Sequence, residues 1–283
     1  MKHPAEMVIH QYLDKASSGE TTISTSTVNQ ICKDVRDAVV RQFGGSNKRD
    51  GFAFRMSNVG RPSCQLWFEK NKPQEALPKP TTFVMNMMLG DIVEAVFKGI
   101  LKEAGVKYED SKRVTLDIGE DSPQRVVTGE YDIVIDGAVD DVKSASDWSY
   151  RNKFESFDTL KDGDAFGYVS QLAGYASASG KKAGGWWVVN KQDGNFKYVP
   201  ANIDVEKEVK KIKDNIKAVE NNEFKRCFEP VEETFRGKPT GNKILPITCR
   251  FCSYRKACHP SLQELPQKMS KAKDPKIVAY VDG

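Results

Sequence analysis

The chain has 283 residues, of which 39% are hydrophobic and 29% charged, and this composition excludes wholesale disorder and a fibrous repeat. The net charge of +4 at pH 7 is too small to identify a polyanionic partner by itself. The longest apolar stretches, such as residues 83–89, are much shorter than the ~20 residues of a membrane-spanning helix, and residues 1–15 lack a signal-peptide core. We therefore expect a cytoplasmic protein without a membrane partner.

The first part of the chain predicts helices. Residues 1–23 show little periodicity and indicate an N-terminal arm, either loosely held or a short helix. Apolar residues then recur at helical spacing from Thr27 to Phe43. Residues 81–104 are apolar nearly all round, which predicts a central helix buried on several sides. Glu94 lies inside that helix, where a carboxylate is costly unless it is paired, hydrogen-bonded or bound to a metal.

The second part mixes strands and helices. Residues 113–143 are rich in Val, Ile and Thr and predict a sheet. A second hairpin is expected around Asp193-Gly194, between two amphipathic helices. The order of elements predicts an α/β protein whose single main domain spans residues 24–265, and residues 266–283 are expected to be a charged tail.

The most informative segment is the strand pair around Asp136-Gly137, because Asp-Gly between two β-rich runs is a strong signal for a two-residue turn. Pairing outward from this turn places Asp132 opposite Asp141. Side chains alternate between the faces of a strand, so Lys143 is expected on the same face as Asp141. The same register places Glu130 across from Lys143, as a weaker candidate for the site.

Directly opposed carboxylates have Cβ atoms roughly 4.5 to 5.5 Å apart and repel each other. A divalent cation such as Mg²⁺ or Mn²⁺ offsets that repulsion, because these ions prefer carboxylate oxygens and keep positions open for water and phosphate. The alternative is a solvent-facing hairpin whose acids only add solubility. On a helix further along, Gln171 and Tyr175 stand four residues apart, close enough to act together on a ligand.

Six cysteines are too few for a disulfide scaffold, and three of them, Cys249, Cys252 and Cys258, lie within ten residues. This spacing indicates a metal ion or a metal cluster. Cys32 is expected to be a core residue of the first helix and Cys227 to be inert, since it has no local partner.

These motifs, in this order, resemble those of the PD-(D/E)XK nuclease superfamily and its RecB-like exonucleases. Asp132 is similar to the first motif acid, and Asp141-Val142-Lys143 to the (D/E)xK motif, with aspartate in place of the commoner glutamate. Residues 171–175 resemble the QxxxY motif. Residues 90–94 resemble the upstream Gly-x-x-x-His motif, with Glu94 where relatives most often carry histidine.

The cysteines extend the resemblance to the iron-sulfur variety of this superfamily, found in CRISPR-associated adaptation nucleases, in AddB and in phage recombination exonucleases. There, one early and three late cysteines hold a [4Fe-4S] cluster, which by resemblance implies Cys64 together with Cys249, Cys252 and Cys258. Zinc remains an alternative, with His259 as a further possible ligand. Cys32 competes with Cys64 for the early position.

The resemblance implies a restriction-endonuclease-like core, a central mixed sheet flanked by helices, with an iron-sulfur-clamped helical C-terminal part. It implies Mg²⁺- or Mn²⁺-dependent exonucleolytic hydrolysis of DNA in recombination or repair, in the manner of phage-encoded enzymes, which would work in the host cytoplasm. Asp132, Asp141 and Glu94 would be metal ligands and Lys143 would orient water and contact the phosphate. Gln171 and Tyr175 would support the metal shell or bind the DNA backbone.

The expected partner is DNA that is single-stranded or has a free end, and a helicase or recombinase would be a separate protein, because the sequence has no phosphate-binding loop of the Gly-x4-Gly-Lys-Ser/Thr type. Two rival interpretations remain. One is a non-catalytic nucleic-acid-binding protein with a structural zinc site of four cysteines. The other is a metal-clamped interaction module without a role on nucleic acid.

Overall fold

The structure is a computed structural model that describes residues 3–44, 51–120 and 122–281. Its centre is a five-stranded sheet in the order β1-β4-β5-β6-β7, with strands numbered along the chain. These strands are β1 (Tyr108–Glu109), β4 (Ile133–Ile135), β5 (Ala138–Ala145), β6 (Lys182–Asn190) and β7 (Phe196–Pro200). β5 and β6 run parallel and the other neighbours are antiparallel, so the sheet is mixed.

Two smaller sheets flank the central one. The first pairs β2 (Lys112–Asp117) with β3 (Val126–Tyr131). The second has the order β10-β11-β9-β8. Its strands are β8 (Val231–Phe235), β9 (Lys238–Ile244), β10 (Leu262–Pro266) and β11 (Ile277–Val281).

Nine α-helices surround the sheets within the described ranges. They are α1 (Pro4–Ser17), α2 (Thr25–Phe43), α3 (Ser63–Asn71), α4 (Phe83–Glu103), α5 (Phe157–Asp162), α6 (Tyr168–Ser179), α7 (Val205–Glu220), α8 (Ile247–Arg250) and α9 (Arg255–Cys258). A 3-10 turn spans Pro73–Glu75 and a π-helical turn spans Ser149–Lys153. None of the helices in the described chain combines the length and apolar character needed to cross a bilayer. The expected mixed α/β architecture, a mixed sheet flanked by helices, is confirmed.

The two faces of the central sheet bury different sets of side chains, because successive residues of a strand point to opposite sides. On one face, Val139 and Trp186 belong to a core cluster with Leu172 of α6 and Ile212 of α7. On the other face, residues including Val142 and Trp187 pack with residues of α1 and α4. Each large side chain buried in this way contributes about 1.5 to 3 kcal/mol. The sheet is therefore fixed from both sides.

Both chain ends form regular structure. Residues 1–23, expected to be an arm or a short helix, contain α1, whose Ile9 is fully buried against α4 and the sheet. Residues 266–283, expected to be a charged tail, contribute β11, which pairs with β10. The signal for β11 was present in the sequence, because Ile277–Val281 is a continuous apolar run of the kind that forms buried strands.

The helix expected to be buried on several sides also differs. The buried residues of α4 all lie in its second half, whereas Met85 and Met87 in its first half are 50% and 42% exposed. Hydrophobic residues on all sides of a helix do not show which part of the helix is covered by a partner.

Candidate active site

The turn that places the first two carboxylates has the expected form. Asp136 and Gly137 have φ angles of 51° and 76°, and both residues of a type I′ turn require positive φ. The strand register that follows pairs Ile135 with Ala138 and Ile133 with Asp140, as predicted. The confirmed register places Asp132 opposite Asp141, at the point where the chain passes from β3 to β4.

Asp132 and Asp141 lie on the same side of the hairpin, and both are held by the chain around them. Asp141 is 2% exposed. The Val142 backbone N–H donates a hydrogen bond of 2.7 Å to Oδ2 of Asp132. Burial raises the pKa of Asp132, and the nearby Asp141 carboxylate raises it further. Ionisation of Asp132 is therefore disfavoured unless a cation lies beside it.

Lys143 lies beside this pair of acids. Its ammonium nitrogen is 2.5 Å from Oδ2 of Asp141, and its side chain is 20% exposed. Burial alone lowers the pKa of Lys143, but the charges of Asp141 and Asp132 outweigh burial and raise the pKa above its usual value. Lys143 is therefore positively charged at neutral pH, and it neutralises one of the two carboxylates.

Glu94 of α4 reaches the same neighbourhood. Burial and the charge of Asp132 raise the pKa of Glu94, while an ion pair of 2.9 Å with Lys98 opposes the shift. Lys98 also pairs with Asp110 at 3.1 Å. Since Asp132 and Lys143 both act on Glu94, the structure brings three carboxylates and Lys143 into one electrostatic neighbourhood, which we call the carboxylate cluster (Glu94, Asp132, Asp141 and Lys143).

Helix α6 covers this face of the sheet with the other two predicted residues. The Gln171 side-chain amide donates to the Tyr175 hydroxyl at 3.2 Å. Tyr175 approaches β3 so closely that a Cβ on Gly129 would lie 2.8 Å from its ring, so only glycine fits there. Burial raises the pKa of Tyr175, and the charges of Asp141 and Asp132 contribute to that shift. Gln171 and Tyr175 therefore face the carboxylate cluster.

One residue of the predicted site does not join it. Glu130 was expected across from Lys143, but β3 pairs with β2, and Glu130 is opposite Arg113. Glu130 is exposed and lines a cavity with Arg55 and Arg113. The chain changes sheets at Asp132, so the register of the hairpin cannot be extended past that residue, and this part of the prediction was wrong.

A residue that the sequence did not single out also contacts the cluster. The Lys143 ammonium lies 5.3 Å from the centre of the Tyr168 ring, at the first turn of α6. Its position, three residues before Gln171 on the same helix, was the available signal. Within the described ranges, no set of three or more His, Cys, Asp or Glu side chains is already arranged as a metal site. A cation would therefore have to compete with the lysine partners of Glu94 and Asp141.

The cysteines meet at a second place. Cys64 is in the first turn of α3, and its backbone N–H donates to Sγ of Cys227 at 3.1 Å. The Ser63 hydroxyl lies 3.4 Å from the same sulfur. Cys227 was expected to be inert because it has no local partner in the sequence. The structure gives it a distant partner, Cys64, which lies more than 160 residues earlier in the chain.

The three late cysteines lie near this pair. Burial raises the pKa of Cys249 to about 11, and the neighbouring Cys252 and Cys258 act in the same direction. Cys227 contributes to the shifts of both Cys249 and Cys258. We call these side chains the cysteine cluster; its members are Cys64, Cys227, Cys249, Cys252 and Cys258.

The other two candidate ligands differ in their surroundings. His259 follows Cys258, is 3% exposed, and its Nε2 has no hydrogen-bond partner among the described residues. Burial lowers the pKa of His259, so the ring is neutral. Cys32 was expected in the core on α2 but is exposed. The described residues of α2 that are buried are Thr27 and Ala38, whereas Val28, Val39 and Phe43 are also exposed.

The comparisons with known proteins add little to this geometry. No protein-family model matches the chain, and no curated protein matches it. A solved structure described as "Crystal structure of SSO0001" is similar over 82% of this chain and 96% of that chain, with 13% identity and a TM-score of 0.42. A similarity at this level supports no conclusion about fold family or function.

Proposed function

We propose that this protein is a metal-dependent DNA exonuclease with a restriction-endonuclease-like core and a [4Fe-4S] cluster held by cysteines. The observation that carries the proposal is the buried Asp141–Lys143 ion pair beside Asp132 on one face of the sheet. A solubility role for the hairpin acids does not account for this arrangement, since Asp141 is 2% exposed. Burying charged groups is costly, and such clusters are most often found where charge is needed for function.

The donor set suits a hard divalent ion. Glu94, Asp132 and Asp141 offer carboxylate oxygens, the ligands that Mg²⁺ and Mn²⁺ prefer. Together they bring three negative charges, and the two lysines in ion contact with them, Lys98 and Lys143, bring two positive charges. When bound, the ion would lower the pKa of a coordinated water and stabilise charge that develops on the phosphate.

The chain's own residues have separate roles in this proposal. Lys143 stays protonated and offers its ammonium to a phosphate oxygen and to the attacking water. Asp132 is oriented by the Val142 N–H, which fixes the direction of its free oxygen. Gln171 and Tyr175 form a hydrogen-bonded pair that stabilises the cluster from the α6 side or contacts the DNA backbone.

The cysteine cluster fits a thiolate-ligated group. Five sulfurs from α3, the segment after α7, and the region of α8 and α9 lie near enough to act on one another electrostatically, although no three of them are arranged as a metal site among the described residues. A bound cluster would draw them together and tie the early and late parts of the chain to each other. This role is structural. The buried, unpartnered Nε2 of His259 keeps a zinc site as the second candidate, because a neutral imidazole nitrogen is a good zinc ligand.

The test is cleavage of end-labelled single-stranded and duplex DNA with Mg²⁺, with Mn²⁺ and with EDTA. We expect metal-dependent release of short products from an end by the wild-type protein. The Asp141→Asn variant should lose this activity by at least about 100-fold. Asp140→Asn is the matched control, since Asp140 is equally buried but lies on the other face of the sheet and bonds to Trp187 and Tyr198.

Equal cleavage by the Asp141→Asn variant and the wild type would contradict the proposal. Metal-independent DNA binding without cleavage would favour the non-catalytic rival. Iron and sulfide analysis of the purified protein separates an iron-sulfur cluster from zinc, which contains neither.

A further inference from the structure

A second cavity is lined mainly by aromatic and apolar side chains, and we call it the aromatic pocket. Its volume is about 160 Å³. Its principal lining residues are Trp148, Asn152, Lys153, Phe166, Ile247 and Phe251. They come from three segments far apart in sequence: the π-helical turn that follows β5 with the residue before it, the loop before α6, and α8 with the residue after it.

The aromatic side chains of the pocket are unusually accessible. Trp148 and Phe251 are each 64% exposed, and Phe166 is 41% exposed. Large rings left open to water around one cavity indicate a binding surface, because each of them would gain from burial by a ligand. Phe154, a few residues after Trp148, is by contrast 3% exposed and belongs to the core.

The pocket is connected to the carboxylate cluster by a row of rings. Phe251 lies 5.9 Å from Phe166, and Phe166 stacks on Tyr168 at 5.7 Å. The Lys143 ammonium is 5.3 Å from the Tyr168 ring. The row of rings therefore leads from the pocket toward the Asp141–Lys143 pair, neither residue of which lines the pocket itself. Phe251 stands between two residues of the cysteine cluster in sequence.

The ammonium group of Lys153 lies between the aromatic pocket and this row of rings. The Lys153 ammonium lies 4.7 Å from the centre of the Phe166 ring and 4.5 Å from that of Tyr168. Within the part of the chain that the structure describes, Lys153 forms no ion pair with a carboxylate. The pocket thus offers ring faces for stacking and an ammonium available to a ligand anion.

We propose that the aromatic pocket binds a base of a single-stranded DNA end, with the adjoining phosphate at Lys153 and the strand continuing toward Lys143. Stacked rings and an ammonium that forms no ion pair within the described chain match a nucleotide, which joins a flat ring system to a phosphate. A duplex keeps its base faces stacked inside the helix, so it cannot enter. This inference rests on the proposed nuclease function and adds how the strand is held.

The test measures binding in EDTA, where cleavage is stopped, by fluorescence anisotropy of a labelled short oligothymidylate. Trp148→Ala and Phe166→Ala should each weaken binding by on the order of tenfold, since each removes a ring on which a base would stack. Trp148→Phe should restore most of the affinity. Ile277→Ala is the matched control, because Ile277 is apolar and 57% exposed but lies on β11, outside the pocket.

An abasic strand of equal length supplies the phosphates without the bases. We expect it to bind wild type and Trp148→Ala equally, and a duplex to bind no better than the abasic strand. Unchanged oligothymidylate affinity in both alanine variants would overturn the proposal, as would an equal loss for the abasic strand or for Ile277→Ala. Folding of each variant is checked by its thermal unfolding midpoint.

The outcomes separate this inference from the nuclease proposal. If the variants lose base binding but the wild type never cleaves DNA with Mg²⁺ or Mn²⁺, the assignment of the pocket is supported and the nuclease proposal is contradicted. If the wild type cleaves DNA and the variants bind oligothymidylate normally, the nuclease proposal is supported and the pocket assignment is contradicted.

Discussion

The carboxylate cluster and the cysteine cluster are built in opposite ways. Asp132, Asp141 and Lys143 lie within twelve residues, on one hairpin whose turn and strand register set their relative positions. The cysteines come from segments separated by more than 160 residues and meet on short helices and a loop. Apart from Glu94, which α4 brings from outside the hairpin, the first arrangement needs only local backbone geometry. The second depends on the packing of the whole domain.

This difference shows what a bound group would do in each place. The hairpin is stabilised by its own hydrogen bonds and core side chains, so a divalent ion there would serve chemistry more than folding. The cysteine cluster has few regular elements around it, because α8 and α9 have four residues each. A bound cluster there would contribute directly to the stability of the domain.

The largest effect is expected at the cysteine cluster. Cys249→Ser should abolish iron binding and lower the thermal unfolding midpoint, because a structural metal site contributes on the order of 10 kcal/mol to folding. Cys227→Ser should also lose iron, since Cys227 lies against Cys64 and near Cys249. Iron and sulfide content together with visible absorbance provide the measurement.

Cys32→Ser is the control for these variants, because Cys32 is an exposed cysteine on α2. It should keep the iron content and the unfolding midpoint of the wild type. Full iron content in Cys249→Ser would show that Cys249 does not hold a cluster. The proposed contrast between a structural group at the cysteine cluster and a catalytic ion at the carboxylate cluster would then be contradicted.

The next effect concerns the ion pair of the carboxylate cluster. Lys143→Met should bind Mn²⁺ about tenfold more tightly, because a competing ammonium at 2.5 Å from Asp141 is removed. The same change should lower cleavage by about 100-fold or more, since a cation is lost where negative charge develops. Titration calorimetry and the end-labelled assay measure the two quantities on one preparation.

Lys181→Met is the matched variant, since Lys181 also pairs with a carboxylate, Glu109 at 2.8 Å, but at the surface. It should change neither quantity. Weaker Mn²⁺ binding in Lys143→Met would mean that Lys143 holds the acids in place for the ion instead of competing with it.

The smallest effect is expected at Asp140, the neighbour of Asp141 on the opposite face. Burial raises the pKa of Asp140 to about 7, although Tyr198 and Trp187 donate hydrogen bonds to it at 2.9 and 3.2 Å. The folded state thus keeps its proton up to about pH 7, whereas the unfolded chain loses it near pH 4. Stability should therefore fall as the pH rises from about 4 to 7.

Asp140→Asn should remove this decline and be more stable than the wild type at pH 8 by on the order of 2 kcal/mol, because a neutral amide occupies the buried position. Urea unfolding at several pH values measures the difference between the two proteins. Parallel pH profiles for variant and wild type would show that Asp140 does not titrate in this range.

The prediction from sequence succeeded where one element contains the whole arrangement. The Asp136-Gly137 turn fixes the pairing of Ile133 with Asp140, and the alternation of side chains along β5 places Asp141 and Lys143 on one face. It failed three residues further out, at Glu130, because the chain changes sheets at Asp132 and β3 pairs with β2. It also missed Cys227, whose partner is brought to it only by the docking of α3.

The sequence by itself determined the turn, the strand register and the facing carboxylates, because hydrogen-bond geometry and the two-residue period of a strand act over short distances. Only the tertiary structure decided which face α6 covers, which cysteines meet, and that Trp148 stays exposed while Phe154 is buried. These outcomes depend on contacts between segments far apart in the chain, and local preferences carry no information about such contacts.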